Sequence, residues 1–576
     1  MLSRIKLMGR FLWDPESVLA RPEGTPPPAL LKSPFLFIIL LGILWAGYHF
    51  KLAHLTCWTP AFYSSLKMAV LLGSIGLASL LLPFFNGSKK LVFLAIFSHA
   101  VTLFASLPLW LLSAATVTAY FLIIKLFKGF WRHAGVIAII ATMMIFFNFR
   151  LFPGIVFSDF WGLAGLMWAF FIPLRLVWFH YQVTRSPQNP PDFLEINTYF
   201  FMIPAPIMLP YMFAIPRREE ITASGNPEDE ILARGAVYIM AGIAFYLAYQ
   251  SFDRFFMVVA TIPGMKWILI PWSYPFEPVF YALGSAYVIT GLYNRLGASV
   301  TLAFRSPLNS NSVLEWWRRW NVHFRDMLVE IFFYPFVMGK RQNPYLRLWA
   351  GTFGVFIIGS TILHWAIKHY FGINDTVFYW SMLVENSIMF IAVGILLHIE
   401  RWQTDLAIAR RRQARLEGRT LPAPLPIPLW RRIIAYPITY FIVFVSVMGG
   451  YSSNLIINGT YVDQGTAVMY HAQKQSGQKR AFYMQKADEY FTRILKNTND
   501  VSSPWKIKER HAAMKLISLR LAEGKPHGIE KLLRILSWDE SLSKKPDDLR
   551  RKIDYELNVM KGISGIKRML RGKLEG

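Results

Sequence analysis

Cysteine is almost absent from this 576-residue chain, in which Cys57 is the single one. A lone cysteine excludes an intramolecular disulfide and any zinc or redox motif built from cysteine pairs. Charged residues are also scarce, at 17% of the chain, whereas soluble domains carry about a quarter. The sequence contains no phosphate-binding glycine loop, HExxH zinc motif or GxSxG nucleophile elbow. We therefore exclude a disulfide-framed protein and the common soluble nucleotide-binding and hydrolase classes, and we predict no metal site.

Apolar and aromatic residues dominate instead, at 54% and 16% of the chain. A membrane span needs about 20 apolar residues, so long apolar stretches predict transmembrane helices and shorter ones predict re-entrant or interfacial helices. We predict an all-α polytopic membrane protein with about eleven transmembrane helices. The candidate stretches are 34–50, 66–85, 91–112, 114–128, 135–152, 155–179, 198–215, 235–250, 255–271, 275–300, 345–365, 377–399 and 433–449.

Charge sets the expected orientation of these spans. The segment from Arg401 to Arg432 contains eight arginines, and a short loop this basic is typical of the cytoplasmic side. The same preference for anionic lipid explains the net charge of +26 without a nucleic-acid partner. The span at 433–449 then places the tail outside the cytoplasm.

The two ends of the chain differ from its apolar middle. Residues 1–33 have an amphipathic pattern and no cleavage site for a signal peptide, which predicts an interfacial segment. Residues 451–576 form a polar tail with helical apolar spacing, so we expect a helical soluble domain. Its hairpin around Gly524 resembles a tetratricopeptide repeat, although a single helical hairpin explains the same pattern. The transmembrane domain is expected to occupy residues 34–450.

The informative motif is the segment 303–326, which reads AFRSPLNSNSVLEWWRRWNVHFRD and is called here the first signature. Its tryptophans and arginines suit an interfacial helix, with indole rings at headgroup level and guanidinium groups on phosphates. That interpretation does not explain the residues that follow, which form a further apolar span with a histidine deep inside it.

That histidine is His364, in the segment Leu363–Trp365, called here the second signature. A lone histidine on an apolar helix is usually a structural core residue, but an ionisable residue inside a membrane span is costly and normally functional. A buried imidazole can take a proton from a hydroxyl group. His369 lies at the end of the same span, where we expect a structural role.

The two signatures together resemble the membrane-bound O-acyltransferase family. The run Trp317–Asn321 is similar to the Trp-Arg-Arg-Trp-His of bacterial alginate-type and D-alanyl-type members, with Asn321 in place of the histidine as in sterol and diacylglycerol acyltransferases. The segment at His364 resembles the second motif, which carries the family's near-invariant histidine. A weaker resemblance lies at residues 200–211, where Ala205 replaces a family glycine. The resemblance covers residues 195–400 and implies helices around a central tunnel.

The resemblance also implies a reaction, the transfer of an acyl group, by analogy acetyl, from a thioester such as acyl-coenzyme A to a hydroxyl group. His364 would be the general base, and Asn321 would donate to the oxyanion or orient the acceptor. Substrate would be bound by a further set of side chains, namely Arg318, Arg319, Trp320, His323 and Arg325. No resident cofactor is expected, and the thioester is a co-substrate.

The implied partners are membrane lipids, the acyl donor and an envelope glycan or lipid acceptor, in the inner membrane. A periplasmic accessory acyltransferase would complete the transfer to a periplasmic acceptor. Two alternatives stay open: a transporter or lipid-translocating protein, and an inactive family member whose tail scaffolds partners.

Overall fold

We describe the protein from a computed structural model. The described residues are 27–49, 65–85, 88–105, 107–148, 160–186, 188–202, 216–222, 229–259, 276–338, 343–362, 376–417, 434–443, 469, 476–495, 507–522, 529–536 and 545–553. Within these ranges the chain is helical and contains no β-strand, which confirms the predicted all-α class.

The described part of the N-terminal half consists mainly of apolar helices. In chain order they are α1 (Ala29–Lys32), α2 (Pro34–His49), α3 (Ser65–Leu81), α4 (Ser88–Ala105), α5 (Leu107–Leu126), α6 (Gly129–Asn148) and α7 (Phe160–Arg185). Two short helices follow, α8 (Phe193–Phe201) and α9 (Arg218–Thr222), and then two long ones, α10 (Asp229–Val259) and α11 (Phe276–Arg295).

The second half begins with short pieces and continues with a very long helix. The short pieces are α12 (Val313–Arg319), α13 (Val322–Leu328), a π-helical segment (Val329–Phe333), α14 (Tyr334–Val337), α15 (Pro344–Phe353) and a second π-helical segment (Gly354–Ser360). After them come α16 (Thr376–Leu416) and α17 (Ile434–Val443). The tail contributes α18 (Gly477–Leu495), α19 (Ile507–Ala522) and α20 (Ile529–Ile535).

Three of the described helices contain a stretch that is long and apolar enough to cross a membrane. These stretches are Leu109–Leu126, Asp229–Tyr249 and Leu383–Leu416, and the shorter apolar helices are Pro34–Gly47, Met68–Phe84 and Ile434–Val443. The finding indicates a membrane protein. The predicted total of about eleven spans stays a prediction.

Helices α10 and α11 form the tightest helix pair through two glycine contacts. A Cβ atom on Gly242 would lie 2.8 Å from the carbonyl oxygen of Gly284, and one on Gly235 would lie 2.9 Å from that of Gly291. Each glycine is seven residues from the next on its own helix, so both contacts fall on one face. Small residues at this spacing let two backbones approach closely, as is common between membrane helices.

Helix α8 is short and buried, and polar contacts fix it among longer helices. His99 on α4 accepts a hydrogen bond from the Trp110 indole (3.0 Å) and donates one to the Asn197 amide oxygen on α8 (3.0 Å). At the start of α8, Glu195 forms an ion pair with Arg218 of α9. The apolar pattern extended the predicted element to residue 215, whereas α8 ends at Phe201 and residues 203–215 lie outside the described ranges.

Helix α16 continues far beyond its apolar part. Its 41 residues span about 60 Å, roughly twice the thickness of the hydrocarbon core of a bilayer. The basic stretch predicted as a loop from Arg401 is therefore helical as far as Leu416, with an exposed, arginine-rich surface.

The buried apolar side chains of the described residues form two separate hydrophobic clusters. The larger cluster runs from Phe37 to Val443 and joins the apolar helices. The smaller cluster lies within the tail between Met484 and Ile553, with Phe491, Ile517 and Leu533 fully buried. The helices predicted in the tail are present, since α18, α19 and α20 supply this cluster.

Candidate functional site

The first signature folds as two short helices that meet at Trp320 and Asn321. Ser312 begins α12 and accepts a hydrogen bond from the Glu315 backbone N–H (3.0 Å), which is the usual role of a serine before a helix. The preceding segment folds back onto the junction, because Arg305 N–H donates to the Arg319 carbonyl (2.9 Å) and Val322 N–H donates to that of Ala303 (2.6 Å).

Asn321 has a left-handed backbone, with φ of 42°. Asparagine tolerates this conformation better than most residues, and its side-chain oxygen also caps α13 by accepting from Phe324 N–H (3.4 Å). The residue is 6% exposed. Asparagine therefore has a local structural reason at this position, which the sequence alone did not reveal. Its predicted part in catalysis stays a prediction.

The arginines predicted to bind substrate each have a protein acceptor. Arg318 forms two hydrogen bonds with Glu400 on α16 (3.1 and 2.6 Å). Arg319 pairs with Glu315, and Arg325 pairs with Asp326. These carboxylates were not singled out in the sequence, since Glu400 lies 82 residues from its partner. An anionic ligand at these arginines would compete with carboxylates already in place.

The tryptophans of the first signature pack into the protein. Trp320 stacks on Trp316 with ring centroids 4.9 Å apart, and Phe304 meets it edge-on at 4.4 Å. Trp317 contacts Phe356 in the second π-helical segment at 5.2 Å. The run of tryptophans thus joins the first signature to the helix that leads toward His364.

The two π-helical segments pack against each other. A Cβ atom on Gly354 would lie 2.6 Å from the carbonyl oxygen of Phe332, and one on Gly359 would lie 2.7 Å from the Phe332 ring. π-Helical turns are rare and often lie at functional sites. The first signature runs into one segment, and the second signature begins three residues after the other. His364, His369 and the whole second signature lie outside the described residues.

His323 occupies a buried polar pocket that links the first signature to α9. Its Nε2 donates to the Thr301 carbonyl (3.0 Å), since a carbonyl can only accept, and Thr301 Oγ1 donates in turn to Glu220 (2.7 Å). In the neutral ring this arrangement leaves the proton on Nε2 and the lone pair on Nδ1. Nδ1 is buried and has no hydrogen-bond partner.

Burial lowers the pKa of the His323 imidazole, and the nearby Arg305 lowers it further, although Glu220, the hydrogen bond to Thr301 and Asp326 raise it. The side chain is 5% exposed. A neutral buried base thus lies two residues after Asn321. The sequence placed His323 among the substrate-binding residues, and nothing in its spacing indicated Thr301 or Glu220 as partners.

A charged cluster surrounds the end of α13. Arg217 lies 3.1 Å from Glu330 and 3.6 Å from Asp326. Tyr181 on α7 donates to the Glu330 carbonyl (2.9 Å). These contacts tie α7 and α9 to the first signature. Within the described ranges, no group of three or more histidine, cysteine, aspartate or glutamate side chains could hold a metal ion.

No protein-family model matches this sequence, and no curated protein matches it significantly. The fold and the buried polar contacts of the first signature therefore define the protein only as a class, an all-helical membrane protein with a charged and aromatic site among its apolar helices.

Proposed function

We propose that this protein is a membrane-embedded O-acyltransferase of the membrane-bound O-acyltransferase type. It would transfer an acyl group, by analogy acetyl, from a thioester such as acyl-coenzyme A to a hydroxyl group of an envelope glycan or lipid. In this proposal about eleven spans of the inner membrane enclose a tunnel, and the tail lies outside the cytoplasm.

The observation that carries the proposal is the packing of residues 328–333 against residues 351–360. The first signature ends at one of these segments and the second signature follows the other, with a backbone approach that only glycine at position 354 permits. The chain that follows the first signature therefore packs against the chain that precedes the second one. This contact supports a common site.

The roles follow from the chemistry of acyl transfer. His364 would take the proton of the acceptor hydroxyl as its oxygen attacks the thioester carbonyl, a contribution of roughly 10²- to 10⁴-fold in rate. The Asn321 amide would stabilise the oxyanion, which is worth about 3 kcal/mol for one donor. The expelled thiolate would leave with a proton, so the transfer needs no further reactant.

A transporter is favoured by one feature, the buried cation Arg175 on α7 beside Pro173. Arg175 is 3% exposed and contacts neutral groups, the Phe200 carbonyl and the Tyr293 hydroxyl. Ionisable residues inside membrane segments often mark transport pathways. This alternative gives no reason for the first signature, so we rank it second.

The test is acyl transfer in membranes that contain the full-length protein. We expect label from radioactive acetyl-coenzyme A to enter the membrane glycan or lipid fraction, with release of free thiol. The variant His364→Ala should lose at least 100-fold in rate while inserting normally, because the base is lost. His369→Ala is the matched control and should stay active. Equal rates in wild type and His364→Ala would contradict the assignment, and transport of label without covalent transfer would favour the alternative.

A further inference from the structure

Arg305 differs from the other arginines of the first signature because it has no carboxylate. Its side chain is exposed, and among the described residues it forms no ion pair and no side-chain hydrogen bond. Arg318, Arg319 and Arg325 all have acidic partners. An anion that bound to one of those three would compete with a carboxylate that is already in place. An anion at Arg305 competes with no carboxylate of the described residues.

The backbone under Arg305 is fixed. Its N–H donates to the Arg319 carbonyl (2.9 Å), and the preceding Phe304 is fully buried against Trp320. The following Ser306 has a left-handed backbone with φ of 49°, a conformation that costs energy for a residue other than glycine. Such strain is often found at functional sites. A rigid backbone reduces the entropy that a ligand-binding side chain loses on binding.

The location also suits a charged ligand at the site rather than at a remote surface. Arg305 is close enough to the buried His323 to act on it electrostatically. Arg305 thus adds a positive charge to the region that contains the first signature and the contact between Glu220 and Thr301. Arginine binds phosphate through two parallel hydrogen bonds, which makes phosphate the anion that its guanidinium fits best.

We propose that Arg305 is the phosphate-binding residue of the first signature. The phosphate comes either from the acyl-coenzyme A donor, which rests on the proposed function, or from an anionic lipid headgroup. Both present the same chemistry to the guanidinium, and they are separable by experiment. The proposal assigns ligand binding to the arginine of this segment that has no acidic partner among the described residues.

The test measures binding by the purified full-length protein, so it does not depend on turnover. Affinities for acetyl-coenzyme A and for acetyl-pantetheine, which lacks phosphate, are compared in wild type, Arg305→Gln and Arg305→Lys. We expect Arg305→Gln to weaken binding of acetyl-coenzyme A by roughly 10- to 100-fold, the effect of losing a charge-assisted hydrogen bond. Acetyl-pantetheine affinity should not change, and Arg305→Lys should restore part of the loss.

Arg411→Gln is the matched control, because Arg411 is exposed on α16 and has no acidic partner among the described residues. Its affinity for acetyl-coenzyme A should equal that of wild type.

A second experiment tests the lipid headgroup as the source of the phosphate. It compares the thermal stability of wild type and Arg305→Gln in phosphatidylcholine vesicles with and without phosphatidylglycerol. Loss of the phosphatidylglycerol effect in Arg305→Gln, with coenzyme binding intact, would identify a headgroup as the ligand.

The proposal is overturned if Arg305→Gln changes neither measurement, or if it weakens acetyl-pantetheine as much as acetyl-coenzyme A. Binding that depends on Arg305 in a protein without acyl transfer would defeat the proposed function and leave this inference standing. Acyl transfer by the wild type, with donor binding and the phosphatidylglycerol effect both unchanged in Arg305→Gln, would defeat the inference alone.

Discussion

Helices α10 and α11 meet along one continuous face of glycine and buried aromatic side chains, whereas residues 296–333 are divided into short helices that carry charges. In the helix pair, apolar and aromatic packing is accompanied by a buried hydrogen bond between Tyr246 and Ser285 (2.8 Å) and by one from Arg295 to the Leu232 carbonyl (3.2 Å). In the first signature, two non-glycine residues are left-handed and a buried imidazole nitrogen has no partner.

The residues of the two regions serve different purposes. Buried polar atoms without a hydrogen-bond partner among the described residues occur in both regions, at His323 and at Thr290 of α11. The glycine contacts of the helix pair follow the small-residue rule of close packing, and both of its helices are regular. The first signature instead has a left-handed backbone at Ser306 and Asn321. Departures of this kind are expected where a protein binds or reacts, because stability elsewhere compensates for them. We therefore expect substitutions in the two regions to have opposite effects on stability and activity.

The largest effect is expected at Asn321. Asn321→Gly keeps the left-handed backbone but removes the amide, so acyl transfer should fall by roughly 10²- to 10³-fold with little loss of thermal stability. Asn321→Ala should lose the same activity and also about 1–2 kcal/mol of stability, since alanine neither caps α13 nor favours this backbone. Rates are measured per folded molecule. Full activity in Asn321→Gly would mean that the asparagine is only a cap.

The next effect is expected in the helix pair. Gly242→Ala places a methyl group 2.6 Å from a Val288 methyl group and 2.8 Å from the Gly284 carbonyl, which should destabilise the protein by about 1–3 kcal/mol. Activity per folded molecule should remain unchanged. Gly73→Ala, where nothing lies within 4 Å of the new atom, is the matched control. Equal melting temperatures in both variants would contradict the close approach of α10 and α11.

A smaller effect is expected from pH. Because burial lowers the pKa of His323, the unfolded chain binds more protons than the folded chain below the unperturbed value of about 6.5. The stability that neutral His323 contributes is therefore complete above that pH and is lost as the pH falls toward the lowered pKa. His323→Gln, which retains a donor for Thr301, should flatten this decline in melting temperature. An unchanged pH profile would contradict the neutral assignment.

The smallest effect is expected at the ion pair between Arg318 and Glu400, whose side chains are half exposed. Exposed pairs contribute about 0–1 kcal/mol, so a double-mutant cycle with Arg318→Gln and Glu400→Gln should give a coupling energy in that range. Coupling well above it would mean that the pair is shielded from water by lipid or protein.

The apolar stretches predicted the helices because burial in lipid or protein is a local property of the sequence. The predicted runs at 235–250 and 275–300 lie largely within α10 and α11. The predicted boundary between the stretches 91–112 and 114–128 was wrong, because α4 ends at Ala105 and α5 begins at Leu107. The pattern did not indicate that Gly235 and Gly242 face Gly291 and Gly284, since pairing depends on how distant helices meet.

The site was accessible from the sequence only in part. The composition of residues 303–326 singled out this segment as polar and aromatic, and Ser312 lies where a helix-capping serine is expected. The acidic partners Glu400 and Glu220 lie 82 and 81 residues from the groups they bind, so no local pattern could identify them. The left-handed backbone at Asn321 likewise follows from the fold-back onto Ala303.

The most direct test of the central claim is the distance between the Asn321 amide and the His364 imidazole in an experimental structure of the full-length protein with acetyl-coenzyme A bound. The account predicts that both side chains reach the same thioester carbonyl and acceptor hydroxyl, so they should lie within about 10 Å of each other. A separation well beyond that distance would contradict it, because no single reacting group could then contact both.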